Sequence, residues 1–549
     1  MLESISLKFT ENEELVIDPA QGVIVFVGPN NSGKSLILRE LETAISGGNI
    51  AVSKLLNDFE IIWPSPQQLA TDISDLSKKA PPGTSPEHVF VGGFSPSGHL
   101  EAGSVPREAL ETVFLQRSQK RWVCSQFLKY FLIRLDGRTR FVLTDDRNRG
   151  DLLLRAENVL AHIFKDDKLR RAISDIVHDA FGVYLTIDAL SQQDLRIRLS
   201  DTAPSGDEQN LNEAARIFHA KARHIKEASD GVQAFIGILC AVLSGDYRAI
   251  LIDEPEAFLH PPLARKLGYQ LTSELKSERC LMASTHSADF LIGCLQASPH
   301  VRVVRLEYLN GKSKGHIVES SVLTKFFKTP LLRSANVISA LFHDGVVVTE
   351  SDNDRAFYSE IYFRLAEQEK RYPSILFINA QNKQTIRDII GPLRAFGVPA
   401  AAIVDIDILK DGGQTWLGWL SSAQVPEALR SGFSVQRGDL CQRFSKIVGD
   451  MKTNGGVDAL LDPDKQAANQ LFDILDDYGI FVVRKGELEN WLESLSVLGK
   501  KTDWTVSVLE KMGSDPANAD YVKPTQGDVW DFMRSIVSWI KNSARKGTA

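Results

Sequence analysis

The chain has 549 residues, more than one ordinary hydrophobic core accommodates, so we expect two to four domains. Its apolar share of 43% and charged share of 24% are typical of a soluble globular protein. The net charge of −7 argues against a uniformly basic coat, although a local basic groove for nucleic acid remains compatible with it. Five scattered cysteines without a C-x-x-C pair argue against a disulfide frame and a zinc site. Because we see no signal peptide and no apolar run of bilayer length, we expect a cytoplasmic protein with no membrane partner.

A strand, a glycine loop and a helix follow one another near the start of the chain. Val23–Val27 is a short apolar run that predicts a buried strand. It leads into Gly28–Ser35, which fits G-x-x-x-x-G-K-[ST] at every fixed position, and a helix-compatible stretch comes next. This order predicts a phosphate-binding loop.

Each fixed residue of this loop has a physical role. Gly28 and Gly33 allow the tight turn that points backbone N–H groups inward, towards the positive end of the following helix. Lys34 can reach the β- and γ-phosphates, and the Ser35 hydroxyl can ligate Mg²⁺. The residues expected to bind ATP are Gly28, Asn30, Asn31, Ser32, Gly33, Lys34 and Ser35.

The rest of the N-terminal half predicts a mixed α/β architecture. Residues 3–18 alternate as two strands, whereas Pro64–Ser104 is rich in Pro, Gly and Ser and predicts loop. Phe141–Thr144 is strand-like, and Val183–Leu199 predicts a strand pair that returns to the sheet of the phosphate loop.

A basic and aromatic cluster lies between these segments, in a stretch with helical periodicity. It could contact nucleic acid or a partner, but a solvated helix face with buried aromatic rings is the favoured interpretation. Its members are Arg117, Lys120, Arg121, Trp122, Lys129 and Tyr130.

Two later segments predict the other half of a nucleotide site. The apolar run Ala249–Ile252 ends at Asp253 and Glu254, where an aspartate can hold Mg²⁺ and a glutamate can polarise the attacking water. A further strand-like run ends in the sequence STHS, which places His286 at a strand end within reach of a γ-phosphate.

The segments GPNNSGKS, SDGVQ, ILIDEPEAFLHP and STHS together resemble an ABC-type ATPase head, of the branch that includes DNA-repair and OLD-family (overcoming lysogenization defect) proteins. The resemblance covers about residues 1–335, with a helical insertion at about 105–180 that could serve dimerisation. In such heads a serine-glycine-glycine signature completes the nucleotide site of the facing subunit. Ser229 and Gly231 match this signature and Asp230 departs from it, so the resemblance implies two nucleotides sandwiched in a head-to-head dimer.

The family's glutamine switch loop has two candidates. Gln116 and Gln126 both precede the second half of the nucleotide site, and the sequence does not choose between them.

From about residue 336 the pattern changes to strands alternating with helices, which predicts a parallel sheet with ligands at its carboxyl edge. A strand of sequence GVVVT ends before Glu350, with Asp354 four residues later, and a strand of sequence AAAIV ends before Asp405 and Asp407. Carboxylates gathered at one edge repel unless cations neutralise them, and hard oxygen ligands suit Mg²⁺ or Mn²⁺. Acidic helix caps are the alternative explanation for Asp354.

Strand–Glu followed by strand–D-x-D resembles a Toprim domain, which would occupy residues 336–549 with an insertion at about 409–477. The resemblance to OLD nucleases implies a further acid after a later strand. Glu489 fits the family's glycine-x-x-glutamate spacing better than Glu487. It also implies a lysine near the end, which Lys523 matches. In that reading Glu350, Asp354, Asp405, Asp407 and Glu489 hold the ions, and Lys523 offsets charge on the transition state.

The predicted fold class is therefore α/β: an ABC-type head followed by a Toprim domain. The resemblance implies an ATP-dependent, Mg²⁺- or Mn²⁺-dependent DNA endonuclease that forms a homodimer or higher oligomer. It is similar to the Gabija nuclease subunit and to retron-associated OLD effectors, which implies antiphage defence and a partner such as a retron reverse transcriptase with its RNA/DNA hybrid. The alternatives are a primase-like nucleotidyl transferase and a non-cleaving ATPase clamp whose Toprim domain docks a partner.

Overall fold

A computed structural model describes residues 1–10, 13–19, 22–76, 85–95, 98–154, 156–191, 193–244, 247–276, 278–309, 311–318, 323 and 335–548. The chain divides into two compact units. The first runs through Met1–Val27, Asn31–Tyr308 and Lys312–Ser320; the second holds Ser321–Ala549 with the short segments Gly28–Asn30 and Leu309–Gly311. In the described ranges no helix combines the length and apolar character needed to cross a membrane.

The first unit mixes strands and helices along its whole length. Its strands are β1 (Leu2–Lys8), β2 (Glu14–Ile17), β3 (Gly22–Val27), β4 (Leu56–Ile61), β5 (His88–Phe94), β6 (Leu100–Pro106), β7 (Leu132–Leu135), β8 (Arg147–Asn148), β9 (Tyr184–Asp188), β10 (Asp194–Ser200), β11 (Arg223–His224), β12 (Ala249–Asp253), β13 (Cys280–Ser284), β14 (Arg302–Leu309) and β15 (Lys312–Val318). Its helices are α1 (Lys34–Ile45), α2 (Pro66–Leu76), α3 (Arg107–Leu115), α4 (Lys120–Gln126), α5 (Thr139–Val142), α6 (Val159–Lys165), α7 (Asp167–Phe181), α8 (Glu213–Lys221), α9 (Asp230–Ser244), α10 (Pro261–Ser273) and α11 (Ala288–Ala297).

A six-stranded sheet in the order β15-β14-β3-β13-β12-β7 forms the centre of this unit. The strands from β14 to β7 are parallel, so their carboxyl ends meet at one edge. In the register Asp253 lies opposite Ser284, and Ser284 lies opposite Phe26 near the end of β3. The strand that enters the glycine loop and the strand that ends in Asp253 are therefore separated by a single strand.

Several local predictions for this unit are wrong. The predicted loop Pro64–Ser104 contains α2 and most of the β5–β6 hairpin, although residues 77–84 and 96–97 lie outside the described ranges. Phe141–Thr144 is not a strand, because α5 ends there. The predicted strand pair is present as β9 and β10, but it belongs to a separate sheet with β8 and β11. The predicted helical insertion also contains β7, which pairs with β12 in the central sheet.

The second unit is built on one parallel sheet. Its strands are β16 (Gly345–Thr349), β17 (Ile375–Asn379), β18 (Ala400–Asp405) and β19 (Ile480–Val483). Its helices are α12 (Ala335–Ser339), α13 (Asp352–Gln368), α14 (Lys383–Ala395), α15 (Gly413–Ser422), α16 (Glu427–Ile447), α17 (Asp464–Asp477), α18 (Lys501–Met512) and α19 (Asp528–Lys541). The strand order is β17-β16-β18-β19, and every neighbouring pair is parallel.

This strand order brings distant parts of the sequence to one sheet edge. Val348 lies opposite Ala402, so Glu350, just past β16, is nearly level with Asp405 at the end of β18. Neighbouring strands are about 4.8 Å apart, which makes these two residues close neighbours. β19 flanks β18 on its other side, and Asp405 lies opposite Val483. The loop after β19 therefore starts beside the same edge.

Candidate functional site: a nucleotide loop and a carboxylate edge

The glycine loop joins β3 to α1 with a backbone that only a few residue types tolerate. Gly28 has φ 141° and Gly33 has φ 99°, both in the region that favours glycine. A Cβ atom on Gly33 would also collide with the Leu55 side chain. Asn31, at φ 63°, adopts the left-handed conformation that asparagine accepts more readily than most residues. The local geometry thus explains why both glycines of the pattern are present.

Lys34 is buried at the start of α1, 4% exposed, and its Nζ donates to Ser32 Oγ at 3.4 Å. Burial lowers the pKa of Lys34 to about 8, and Glu254 and Glu256 are the first carboxylates that oppose this shift. The loop lysine and the acids that follow β12 are therefore close enough to interact. The sheet brings together two segments that are about 220 residues apart in the sequence.

Asp253 ends β12 and accepts a hydrogen bond from Ser284 Oγ on β13. Its side chain is thereby fixed at the carboxyl edge of the sheet. Ser35 lies in the first turn of α1, next to the buried lysine, and is half-buried. A serine hydroxyl and an aspartate are oxygen donors of the type that Mg²⁺ accepts beside nucleotide phosphates, so both fit the predicted role.

Glu254 and His286 form the outer part of this edge. The Glu254 side chain is 53% exposed, and its Oε1 lies 3.8 Å from His286 Nε2. Burial lowers the pKa of His286, and the Lys34 charge adds to this effect. A largely neutral imidazole beside an open carboxylate can donate to a phosphate oxygen while the carboxylate orients a water.

Arg140, a residue that sequence reasoning did not single out, holds this turn. The side chain is fully buried, and its guanidinium donates to the carbonyls of Asp253 at 2.8 Å and Glu254 at 3.0 Å. Its Nε donates to the Asp136 carbonyl at 3.0 Å. Glu254 has φ 49°, an unfavourable conformation for glutamate, so the buried arginine stabilises a strained turn.

Glu256 is a second residue that the sequence did not single out. Its Oε1 accepts the His286 backbone N–H at 2.7 Å, which ties the turn after β12 to the loop after β13. Burial raises the pKa of Glu256, and the hydrogen bond from His286 opposes the shift. The only signal available was its place in the sequence DEPE.

The predicted signature residues lie at the start of α9. Ser229 is exposed, and its carbonyl accepts the Gln233 N–H at 3.1 Å. A Cβ atom on Gly231 would lie 2.6 Å from the Phe258 carbonyl oxygen, so this glycine allows a close approach of two backbones. In the described part of the chain no hydrogen bond joins Ser229 to the glycine loop. The predicted action of Ser229 and Gly231 on a facing subunit stays a prediction.

The two switch-loop candidates lie at helix ends, and Lys120 of the basic cluster forms ion pairs within the chain. Gln116 and Gln126 end α3 and α4, before β7, so neither follows a strand of the central sheet. Lys120 pairs with Asp58 and Glu60 at 3.0 Å, as a solvated structural face does. The structural alternative explains this lysine without nucleic acid.

In the second unit Glu350 follows β16 and Asp405 ends the adjacent strand β18. Burial raises the pKa of Glu350, Lys452 opposes the shift, and Asp407 adds to it. Burial raises the pKa of Asp405 to about 7, again against the effect of Lys452. Each of these two carboxylates is thus partly desolvated and lies near other charged groups. The parallel register places both at the same edge of the sheet.

Asp354 serves as a helix cap and also borders this edge. Its Oδ2 accepts from the Ser351 N–H at 2.9 Å and from Ser351 Oγ at 2.7 Å, which completes a capping box at the start of α13. Burial raises the pKa of Asp354, and the nearby Glu489 charge adds to the rise. The predicted helix-cap role therefore explains Asp354 Oδ2. The Asp354 carboxylate also lies near Glu489.

The two glutamates after β19 differ in their surroundings. Glu489 Oε1 accepts the Lys501 N–H at 2.7 Å. The negative charge of Glu489 also raises the pKa of Asp354. Burial raises the pKa of Glu487, and the negative charge of Glu489 raises it further. The direct influence on Asp354 favours Glu489 as the residue that borders the edge.

Two lysines that the sequence did not single out lie among these acids. Lys452 Nζ lies 2.6 Å from Asp405 Oδ2 and 3.5 Å from Asp407 Oδ2. Lys383 Nζ bridges Asp407 Oδ1 at 3.0 Å and Asp411 Oδ1 at 3.2 Å. Burial alone would lower the pKa of Lys452, but the neighbouring carboxylates, Asp405 first, raise it.

The structure does not bring the predicted Lys523 into this group. It is exposed and makes no hydrogen bond or ion pair with any residue that the structure describes. The adjacent Val522 accepts from Arg364 Nη1 at 2.9 Å. Arg364 lies ten residues beyond Asp354 on α13, a rise of about 15 Å. Lys452 and Lys383 are the lysines that contact the aspartates of this edge in the described ranges.

Within the described ranges, no three Asp, Glu, His or Cys side chains lie close enough to enclose a metal ion. The Lys452 ammonium lies between Asp405 and Asp407 instead. The donors are carboxylates on adjacent strands, which hard divalent ions prefer, so the set fits Mg²⁺ or Mn²⁺ in its chemistry. In this structure Lys452 and Lys383 contact the aspartates of this set.

Comparisons with known proteins agree with both halves of this description. Residues 73–293 match the family described as "AAA domain, putative AbiEii toxin, Type IV TA system". Residues 341–407 match "Overcoming lysogenization defect protein-like, TOPRIM domain". The chain is therefore similar to OLD-family proteins. The predicted resemblance to that family and the predicted α/β fold class, an ABC-like head followed by a Toprim domain with a four-stranded parallel sheet, are confirmed.

Similarities to individual proteins cover a larger share of the chain. It is 23% identical over 362 residues to the Old nuclease of Escherichia phage P2, an alignment that covers 61% of this chain and 57% of that protein. It is similar to an SMC head bound to the C-winged helix domain of ScpA, at 16% identity and a TM-score of 0.34 over 59% of this chain and 99% of that chain. It is also similar to the SMC head domain from Thermotoga maritima, at 13% identity and a TM-score of 0.30 over 58% and 99%.

Proposed function

We propose that this protein is an ATP-regulated, divalent-metal-dependent DNA endonuclease. The observation that carries the proposal is the convergence of Glu350 and Asp405 at the ends of adjacent parallel strands in an OLD-like Toprim domain. The same chain holds an ATPase site with the buried lysine of a phosphate loop. An ATPase site and a cluster of carboxylates on one chain suit a nuclease that ATP controls.

The ATPase residues have separate tasks. Lys34 and the loop N–H groups bind the phosphates, and Ser35 with Asp253 holds Mg²⁺. Glu254 positions the attacking water, and His286 donates to the γ-phosphate. Ser229 and Gly231 complete the site of a second copy, so the active form is a homodimer or a higher oligomer.

In the Toprim domain Glu350, Asp354, Asp405, Asp407 and Glu489 are the residues that would hold Mg²⁺ or Mn²⁺. Bound divalent ions supply activation of a water and stabilisation of the leaving 3′-oxygen. Glu350 and Asp405 lie on neighbouring strands and orient the site, while a lysine ammonium offsets charge on the phosphate. The family resemblance assigns this lysine role to Lys523.

The biological setting is proposed from the family resemblance. One relative is a phage P2 protein named Old nuclease, and a DNA substrate for the present chain is proposed on that basis. Bacterial antiphage defence is the role that we propose, with a partner such as a retron reverse transcriptase and its RNA/DNA hybrid.

The test is cleavage of supercoiled plasmid by the full chain with Mg²⁺ or Mn²⁺, with and without ATP. We expect metal-dependent nicking that Asp405→Ala abolishes while DNA binding is retained, because the substitution removes an ion ligand and leaves the fold. Asp439→Ala, on the surface of α16, is the matched control and should nick as the wild type does.

Two other outcomes would point to the rival functions. ATP turnover with intact plasmid under all metal conditions would favour a non-cleaving clamp. Ribonucleotide-dependent primer synthesis would favour a primase-like transferase. Either result would overturn the nuclease proposal.

A further inference from the structure

Lys452 comes from a segment far from the strand ends that it contacts. It lies between α16 and α17, 47 residues after Asp405, yet its Nζ is 2.6 Å from Asp405 Oδ2. The side chain is 26% exposed and that of Asp405 is 21% exposed, so this ion pair is half-buried. A second contact, 3.5 Å to Asp407 Oδ2, centres the ammonium between the two acids of the D-x-D sequence.

The backbone of Lys452 is fixed to the loop that carries Glu489. The Lys452 carbonyl accepts from Asn490 Nδ2 at 3.0 Å, and the same amide group donates to the Lys485 carbonyl at 2.7 Å. Gly486, at φ 119°, packs so closely that a Cβ atom there would collide with the Lys452 carbonyl oxygen. The neighbouring Met451 is fully buried. The segment is therefore built to present this lysine at the carboxylate edge.

An ordinary surface ion pair of the same insertion provides a contrast. Lys465 Nζ lies 2.8 Å from Asp458 Oδ1, but these side chains are 40% and 67% exposed. That pair touches no other acid and lies in water, where ion pairs contribute little. Lys452 instead contacts both acids of the D-x-D sequence, which are the predicted ligands of a divalent ion.

We propose that Lys452 is a built-in, exchangeable cation of the Toprim ion pocket: it neutralises Asp405 and Asp407 in the absence of a divalent ion, is displaced when the ion binds, and then holds the substrate phosphate. Displacement is favoured because a divalent cation on Asp405 and an ammonium 2.6 Å from the same carboxylate repel each other. The backbone anchor keeps the displaced side chain beside the pocket, where an anionic phosphodiester would bind. The phosphate role rests on the proposed nuclease function, whereas the exchange with the ion does not.

The test is Mn²⁺ binding to the full chain without nucleotide, measured from the electron paramagnetic resonance signal of free Mn²⁺ at fixed pH and salt. Asp405→Asn identifies the binding component that belongs to this pocket. We expect Lys452→Met to bind Mn²⁺ about tenfold more tightly, because one competing charge is removed from a half-buried site. Lys452→Arg keeps the charge and should stay within about twofold of the wild type, as should the matched control Lys465→Met.

The same variants separate the two parts of the proposal. At saturating Mn²⁺, Lys452→Met should nick plasmid at least about tenfold more slowly, so tighter metal binding accompanies slower cutting. Unchanged or weaker Mn²⁺ binding in a folded Lys452→Met protein would show a purely structural ion pair and overturn the exchange. Lys452→Gln provides a second variant should the methionine protein fail to fold. A wild-type protein that never nicks would refute the nuclease function and leave the exchange to be decided by the Mn²⁺ titration.

Discussion

Replacement of Arg140 by lysine tests how the ATPase site is held. The guanidinium donates to three carbonyls within 3.0 Å, those of Asp136, Asp253 and Glu254. A lysine ammonium at that depth can keep about one of these bonds, and a hydrogen bond to a charged group contributes about 1.5 kcal/mol or more. The substitution therefore removes about 3 kcal/mol of restraint from the turn that carries Glu254.

The expected consequence is slow hydrolysis with intact binding. A loss of about 3 kcal/mol that fell entirely on the transition state would lower kcat about 100-fold, so we expect a fall of between about 10-fold and about 100-fold for Arg140→Lys. ATP affinity should change less than about threefold, because Lys34 and its loop are untouched. The matched control is Arg138→Lys, an exposed arginine two residues away.

The assay combines steady-state ATP hydrolysis, binding of a fluorescent ATP analogue and urea unfolding. The unfolding curve must show that Arg140→Lys is folded under the assay conditions. If a folded Arg140→Lys protein hydrolysed ATP within twofold of Arg138→Lys, the buried arginine would not position Glu254, and the reasoning would be refuted.

Three further predictions concern the same head, the third with a control in the second unit. Lys34→Ala should abolish ATP binding in an equilibrium binding assay; retained affinity would mean that the loop is not the site. Glu254→Gln should lower hydrolysis by about 100-fold or more and stabilise an ATP-bound dimer on size exclusion, and unimpaired hydrolysis would remove its role. Gly237→Ala should lower Tm, because its Cβ atom would collide with the Arg140 carbonyl and overpacking costs about 1–3 kcal/mol. Gly432→Ala, on α16 with open space around it, should instead raise Tm, because alanine stabilises a helix by up to about 1 kcal/mol relative to glycine. A fall in Tm as large as that of Gly237→Ala would contradict this.

Local patterns were sufficient where one segment determines its own structure. The glycine loop combines a strand, two glycines with positive φ and a helix start, all within 25 residues. Thr349 and Asp405 end their strands within a residue of where the apolar runs GVVVT and AAAIV stop. Parallel topology then brings the acids together without further information.

The predicted loop between Pro64 and Ser104 was wrong because glycine has more than one use. Gly92 and Gly93 lie within β5, where a Cβ atom would collide with the carbonyls of Glu101 and Tyr130. These glycines permit a close approach of backbones and do not mark a turn. A single sequence does not distinguish these two uses.

The residues that the sequence missed act through tertiary contacts. Arg140 lies more than 110 residues before Asp253 and Glu254, whose carbonyls it holds, and Lys452 lies 47 residues after its carboxylate. Phe141–Thr144 looked like a strand, but the Asp136 Oδ1 accepts from the N–H groups of Arg138 and Thr139 and starts a helical turn. Neither periodicity nor spacing carries such information.

The central claim is that Glu350 and Asp405 share divalent ions at one sheet edge. Anomalous scattering from crystals of the full chain soaked in Mn²⁺ tests it most directly. We predict a peak about 2.1–2.2 Å from carboxylate oxygens of both residues, with the Lys452 ammonium moved away from Asp405. A peak confined to other residues, or no peak at this edge at saturating Mn²⁺, would contradict the account.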